Sequence, residues 1–337
     1  MTTRYIKLHD RIDTARALSR KDHSDKEVLK RGVLRAGSSG IMDADGAIAG
    51  ACHRVSLLRS KGIEIDPPTE DKHIMFELGY ANEDEIVKQL KRTLQPGESL
   101  LVEEEIPVEW MTTNGTRVTG RPDIVMVENG KPVLGLELKS VHSVWVAREV
   151  LFGGKPKLNN LVQAAHYMWQ LGEIPYKLFY KSYSQLGQGA MGSDFVAKLF
   201  PSEGAPGSEY VDYTEVSPAQ AAKGKTPNVK HVKQFEVIYD IRFDKSGRLE
   251  FRNEKYQDGP WESTIVTRQD IHRYFEYVSQ MEKKKDLGPV PSSVDAVGNK
   301  LNYQVCKYCK LKDVCSKPKP YDQWMQEVTA LVDSNKK

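Results

Sequence analysis

Two groups of residues in this chain have the types and spacing for chemistry. Cys306, Cys309 and Cys315 form a C-x2-C-x5-C group, and Cys52 stands alone far upstream. The trio has metal-knuckle spacing but lacks one thiolate, which can come only from the other end of the chain. Four thiolates suit either tetrahedral Zn²⁺ or a [4Fe–4S] cubane. Zinc sites usually pair two short knuckles, so the solitary Cys52 leans toward the cubane. The second group is Glu137-Leu138-Lys139, within an apolar run from Val133 to Val141. Period two puts Glu137 and Lys139 on one strand face and Leu136 and Leu138 on the other.

Alone, Glu-x-Lys reads as a salt bridge on a solvated strand. Asp123, after Gly120-Arg121-Pro122, gives it a second carboxylate. Asn129-Gly130 lies between and predicts a hairpin. The register decides whether the acids meet. A strict two-residue loop pairs residues whose numbers sum to 259 and sets Asp123 opposite Leu136, on the wrong face. One slipped residue flips every side chain. The expectation is therefore a three-residue bulged loop, or an equivalent kink near Pro122, with a sum of 260 and Asp123 across from Glu137. The paired carboxylates then make a hard-oxygen site for Mg²⁺ or Mn²⁺.

Further polar residues fall in line with this pair. A helix expected over about 72–94 carries Phe76, Tyr80, Glu83, Val87, Leu90 and Leu94 on one stripe. An acid on that stripe is either a buried salt-bridge partner or a third metal ligand, direct or through water. Gln163 and Tyr167, four apart on a helix expected over about 158–171, share a face.

The surrounding elements follow from pattern. Strands are expected over 100–108, 117–141 and 176–183, a hairpin over 235–243 and 249–252, and helices over 268–285 and 321–333. Short helices are expected at 14–18, 27–34 and 52–61, with a loop leading to Cys52. Residues 184–230, rich in Gly, Pro, Ser and Ala, read as a surface insertion or partly mobile loop. This divides the chain into an N-terminal helical segment (1–70), a central core (71–183), the insertion (184–234), a remaining core hairpin and helix (235–300), and the cysteine knuckle with its helix (301–337).

Bulk properties set looser bounds. The 337 residues hold 49 Lys+Arg and 46 Asp+Glu, a net charge of +3, so any polyanion-binding surface must come from local clustering. The absence of a long apolar run and the polar Met1–Asp10 predict an intracellular protein with no membrane anchor. There, four cysteines argue for a metal more than for disulfides.

Taken together, Gly79-Tyr80-Ala81-Asn82-Glu83, Gly120-Arg121-Pro122-Asp123, Glu137-Leu138-Lys139 and Gln163-Ala164-Ala165-His166-Tyr167 resemble the ordered motifs of the PD-(D/E)XK nuclease superfamily. They look most like its RecB/AddB-type branch, which includes CRISPR-associated iron–sulfur exonucleases. The cysteine layout matches that branch, so the resemblance covers about 52–316. It implies an α/β fold with a mixed central sheet flanked by helices, and an iron–sulfur-clamped helical subdomain drawn from both ends. It implies that Asp123 and Glu137, with the Leu138 carbonyl, hold one or two Mg²⁺ or Mn²⁺ ions, and that Lys139 orients the attacking water. Gln163 would position a water or phosphate, and Tyr167 would contact the nucleic-acid backbone, with Arg54, Arg121 and Arg148 as further nucleic-acid contacts. It also favours a [4Fe–4S] cluster over zinc on Cys52, Cys306, Cys309 and Cys315. The function expected is a metal-dependent exonuclease acting on single-stranded DNA or DNA ends. A structure-specific endonuclease is the alternative, as is a DNA-end-binding subunit of a recombination or helicase complex. No Walker A motif is present, so any ATP motor would be another chain.

Overall fold

The structure, a computed structural model, describes residues 32–65, 70–102, 108–141, 150, 154–182, 211–213, 215–225, 229–232, 236–254, 258–301, 306–307, 309–315, 317 and 319–334. In chain order the first elements are β1 (Val33–Arg35), a 3-10 turn (Ala36–Ser38), β2 (Gly40–Met42), β3 (Ile48–Gly50), α1 (His53–Ser60) and α2 (Glu70–Lys91). The strands β4 (Glu98–Val102), β5 (Val108–Met111), β6 (Arg117–Gly120), β7 (Ile124–Glu128) and β8 (Lys131–Val141) follow, then α3 (Leu158–Gln170) and β9 (Tyr176–Ser182). The remainder is β10 (Val211–Tyr213), α4 (Pro218–Ala221), β11 (Val229–Val232), β12 (Glu236–Phe243), β13 (Arg248–Asn253), β14 (Glu262–Thr267), α5 (Arg268–Lys284), α6 (Lys312–Cys315) and α7 (Tyr321–Ser334).

The expected mixed sheet with flanking helices is present. Its strand order is β14-β13-β12-β9-β8-β7-β4, with β8 and β9 parallel and the other neighbours antiparallel. Parallel neighbours need a long crossover, and α3 lies within that connection. Alternation then sorts the side chains. On one face Leu136, Leu138, Ile124, Phe179 and Ile238 pack against Ile86 and Val87 of α2. On the other, Tyr176, Leu178, Tyr180, Val237, Tyr239 and Ile241 join the larger core with α3 and α5. That core also takes Leu34, Leu57 and Leu58 from the N-terminal side and Trp324 and Val328 from α7, so both ends of the described chain share one interior. Each fully buried Leu, Phe or Met contributes roughly 1.5–3 kcal/mol.

Several sequence expectations are corrected. Val33 and Leu34 lie in β1, which pairs parallel with β6, and not in a helix spanning 27–34. The stretch before Cys52 is a small antiparallel pair, β2–β3, and not only a loop. Within 184–230, β10 pairs antiparallel with β11, and α4 starts at a Ser217 capping box. The edge strand β14 was not anticipated: Glu262 and Ser263 are exposed, and only Thr264 and Val266 are buried. The expected helix at 14–18 and Arg148 lie outside the described residues. No helix among the described residues is long and apolar enough to cross a membrane.

Candidate active site and thiol cluster

The β7–β8 hairpin sets the acids. Asn129 (φ 50°) and Gly130 (φ 78°) form a two-residue turn with both central residues left-handed, the geometry that matches strand twist. Glu128 pairs with Lys131 and Val127 with Pro132, so the loop is the strict one and the expected three-residue loop is absent. The extra residue comes inside the strand. Met126 pairs with Leu134, which leaves Val133 as a bulge, and beyond it Val125 meets Gly135 and Ile124 meets Leu136. The register past the bulge therefore sums to 260, the value that aligns Asp123 with Glu137. The required slip was correct, but its location was not.

Asp123 immediately precedes the start of β7. Its Oδ2 accepts a hydrogen bond from the Leu138 N–H at 2.6 Å. The carboxylate thus replaces the missing strand partner of β8. In a strand, the C=O of a residue points to the same side as its N–H, so the Leu138 carbonyl faces this edge too. Glu137 is fully buried. The Lys139 ammonium donates to its Oε1 at 2.6 Å, and the Tyr176 hydroxyl donates to its Oε2 at 3.5 Å.

Burial and the neighbouring charge of Asp123 push the Glu137 carboxyl up to about 8, despite the Lys139 bond. Burial also raises Asp123, against the pull of Lys139 and the Leu138 N–H. Burial alone would lower the Lys139 ammonium. The charges of Glu137 and Asp123, joined by Glu83, outweigh that and raise it. Glu83 is half-buried on α2, whose Ile86 and Val87 pack on the Leu136 and Leu138 face of the sheet, the face opposite Glu137. One position earlier, the Asn82 amide donates to the Ser140 hydroxyl at 3.4 Å and ties α2 to the end of β8.

Gln163 and Tyr167 do share a face of α3: the Gln163 amide donates to the Tyr167 hydroxyl at 3.2 Å. That hydroxyl also accepts from the Arg121 N–H at 3.3 Å. Tyr167 is buried at 3% exposure, so it braces the Gly120–Asp123 segment and does not lie on the surface as expected for a backbone contact. Gly120 permits this, because a Cβ there would lie 2.2 Å from the Tyr167 ring. Gly135 does the same for Tyr176, at 2.1 Å. Tyr176 was missed from sequence. Its only signal was an aromatic opening a strand whose parallel neighbour carries a glycine, and that pairing is not visible until the strands are paired.

Of the expected cationic contacts, the Arg121 side chain is exposed. Arg54 is not on a nucleic-acid surface: it is 9% exposed, and its guanidinium donates to the carbonyls of Leu287 and Gly288 at 2.9 and 2.7 Å.

The four cysteines converge. Cys52, Cys306, Cys309 and Cys315 line one cavity, together with Arg54, Leu311 and Lys312. None is in a disulfide. Cys52 is the N-cap of α1. The Val55 and Arg54 N–H groups favour its thiolate, yet burial dominates and, with Cys306 and Cys309 nearby, pushes the thiol up to about 11. Cys306 is raised by burial and by its two cysteine neighbours. The trio is shaped by short backbone bonds, Cys309 N–H to Cys306 at 3.2 Å and Cys315 N–H to Leu311 at 2.8 Å. The buried Trp324 indole N–H donates to the Cys315 sulfur at 3.3 Å. Among the described residues, no group of three or more His, Cys, Asp or Glu side chains is arranged to hold a single ion.

No protein-family model and no curated protein matches this chain. A solved structure titled "Crystal structure of SSO0001" is similar over 51% of this chain and 73% of its own, at 15% identity and a TM-score of 0.34.

Proposed function

We propose that the protein is a divalent-metal-dependent deoxyribonuclease of PD-(D/E)XK type, acting on single strands or DNA ends, with an iron–sulfur cluster on its four cysteines. The observation that carries the reading is the in-strand bulge at Val133, which aligns Asp123 with Glu137. With both carboxylates ionised, the two acids and one ammonium carry a net negative charge, and burying a charge without a counter-charge is costly. A divalent cation on Asp123, Glu137 and the Leu138 carbonyl would relieve that cost. The donor set is all oxygen, which suits Mg²⁺ or Mn²⁺.

Such an ion supplies Lewis acidity and lowers the pKa of a coordinated water. The chain supplies the rest. Lys139, held 2.6 Å from Glu137, orients the attacking water and offsets charge growing on the phosphate. Asp123 fixes the peptide of Leu138. Gln163, through Tyr167 and the Arg121 N–H, keeps the segment leading to Asp123 in place. Arg121, two residues from Asp123 and exposed, is assigned a phosphate contact in this reading. Glu83 acts through water from α2 and contributes to the charge that Lys139 feels. The expected products carry 5′-phosphate and 3′-hydroxyl ends.

We assign a soft-metal group to the thiols on their shared cavity, although their side chains among the described residues are not arranged to hold a single ion. They line one cavity, burial and neighbouring cysteines raise Cys52 and Cys306, and a bound cation's charge would reverse that shift. The solitary Cys52 favours the cubane over zinc.

Incubation with end-labelled linear and circular DNA, single- and double-stranded, in Mn²⁺ tests the activity. Cleavage of linear strands alone is expected. Cleavage of circles would make the enzyme an endonuclease. No cleavage of any substrate by the metal-loaded, cluster-loaded protein would end the proposal.

A further inference from the structure

The buried Glu137 carboxylate is held by two donors. The Lys139 ammonium donates to Oε1 at 2.6 Å, and the Tyr176 hydroxyl reaches Oε2 at 3.5 Å. Tyr176 lies outside every motif that nominated the site, and its place follows from strand pairing. β8 and β9 run parallel, with Gly135 beside Tyr176 and Glu137 beside Leu178. Residues two apart share a strand face, so Gly135, Glu137 and Lys139 line one face of β8. Tyr176, Leu178 and Tyr180 likewise share one face of β9. The bare Cα of Gly135 lets the Tyr176 ring lie across β8. A Cβ at that position would come within 2.1, 2.3 and 3.0 Å of three ring atoms. A fully buried ring that starts opposite position 135 thereby delivers its hydroxyl to the side chain at 137. Burial, reinforced by the charges of Glu137 and Asp123, holds the Tyr176 phenol well above its ordinary value, so it keeps its proton and stays a donor.

We infer that Tyr176 is a positioning residue for the metal site: its hydroxyl and Lys139 together orient the Glu137 carboxylate that takes the divalent cation, and Gly135 makes room for it to do so. The inference rests on the nuclease reading of the site and adds an outer partner to its ligand set. An ionised carboxylate oxygen has two lone-pair sites, so Oε2 can accept from Tyr176 and keep one for a cation. Partners that hydrogen-bond a ligand fix its orientation, and losing one costs about 10–100-fold in metal affinity. A ring that only filled the core would be served equally by phenylalanine, and burying a hydroxyl is costly unless it finds an acceptor.

The test measures Mn²⁺ binding to the full chain by calorimetry at one pH, alongside Tm and the KM for Mn²⁺ in cleavage. Tyr176→Phe keeps the ring and removes the hydroxyl. It should raise both the Kd and the KM for Mn²⁺ at least about tenfold, with a smaller change in kcat at saturating Mn²⁺. Tyr180→Phe is the control, because that buried hydroxyl accepts from the Lys157 N–H and the Asn160 amide at 3.1 Å each and so serves the start of α3. Its Mn²⁺ Kd should match the wild type. Gly135→Ala displaces the Tyr176 ring without removing its hydroxyl and should also weaken Mn²⁺ binding, which carries the test if Tyr176→Phe does not fold. If the wild type binds Mn²⁺ and Tyr176→Phe binds it as tightly, the positioning role is overturned and the metal site stands. The same holds if Tyr180→Phe loses as much affinity as Tyr176→Phe. If the wild type binds no Mn²⁺, the nuclease reading fails and takes this inference with it.

Discussion

At the scale of single residues, the centre is defined by carboxylates placed where they are uncomfortable. Glu137 is driven up to about 8 by burial and by Asp123. A carboxyl whose folded pKa is raised contributes stability that is complete below its ordinary value and is lost as pH rises through the folded one. Without divalent metal, Tm should therefore fall between pH 4.5 and about 8, and Glu137→Gln should flatten that fall and be the more stable protein at pH 8. Urea melts across that range check it. Excess Mn²⁺ should reverse the order, raising the wild-type stability by about 2.7 kcal/mol at a hundred times its Kd and leaving Glu137→Gln unmoved. Asp123→Ala and Lys139→Ala should cut at least 100-fold more slowly, as loss of a charge-stabilising donor does, with unchanged circular dichroism. Wild-type rates in either variant would remove these residues from the chemistry.

At the scale of elements, the hairpin and its neighbouring rings hold the acids in register. The Asn129-Gly130 turn fixes the start of β8, and the Val133 bulge resets it by one residue before the acids are reached. Tyr176 and Tyr167 then wedge against Gly135 and Gly120. Gly135→Ala would drive a methyl to 2.1 Å from a fully buried ring, an overpacking that should cost about 1–3 kcal/mol. Gly120→Ala should cost a similar amount and also lower kcat, because the displaced Tyr167 holds both Gln163 and the Arg121 N–H. Denaturant melts alongside single-turnover rates separate the two effects.

Over the whole molecule, the two ends of the described chain meet twice, once in the apolar core and once at the thiols. The core joins Leu57 and Leu58 of α1 to Trp324 of α7, and that indole in turn bonds Cys315. A metal group bridging Cys52 to the C-terminal trio would close a loop of about 250 residues, worth about 5 kcal/mol in a chain-entropy account. Cys52→Ser should therefore lower Tm and metal content together, while leaving Asp123 and Glu137 able to bind Mn²⁺. Elemental analysis and visible absorption check this. Iron with sulfide and a brown colour is the expected outcome, and stoichiometric zinc in a colourless protein would replace the cubane.

The sequence alone determined what is local. Helix and strand periods placed α2, α3, β8, β9 and α5 within a few residues, and the order of acids, lysine and cysteines nominated the site. Those signals survive because side-chain alternation and helical stripes are set by the backbone over short spans. Tertiary structure decided the rest. The position of the bulge, the partner strand of β1, the burial of Arg54 and Tyr167, and the exposure of Phe76 and Tyr80 all depend on which surfaces meet across long chain separations. A stripe of apolar residues states that a helix has a face to cover. Only the packed molecule decides how far along the helix that cover extends.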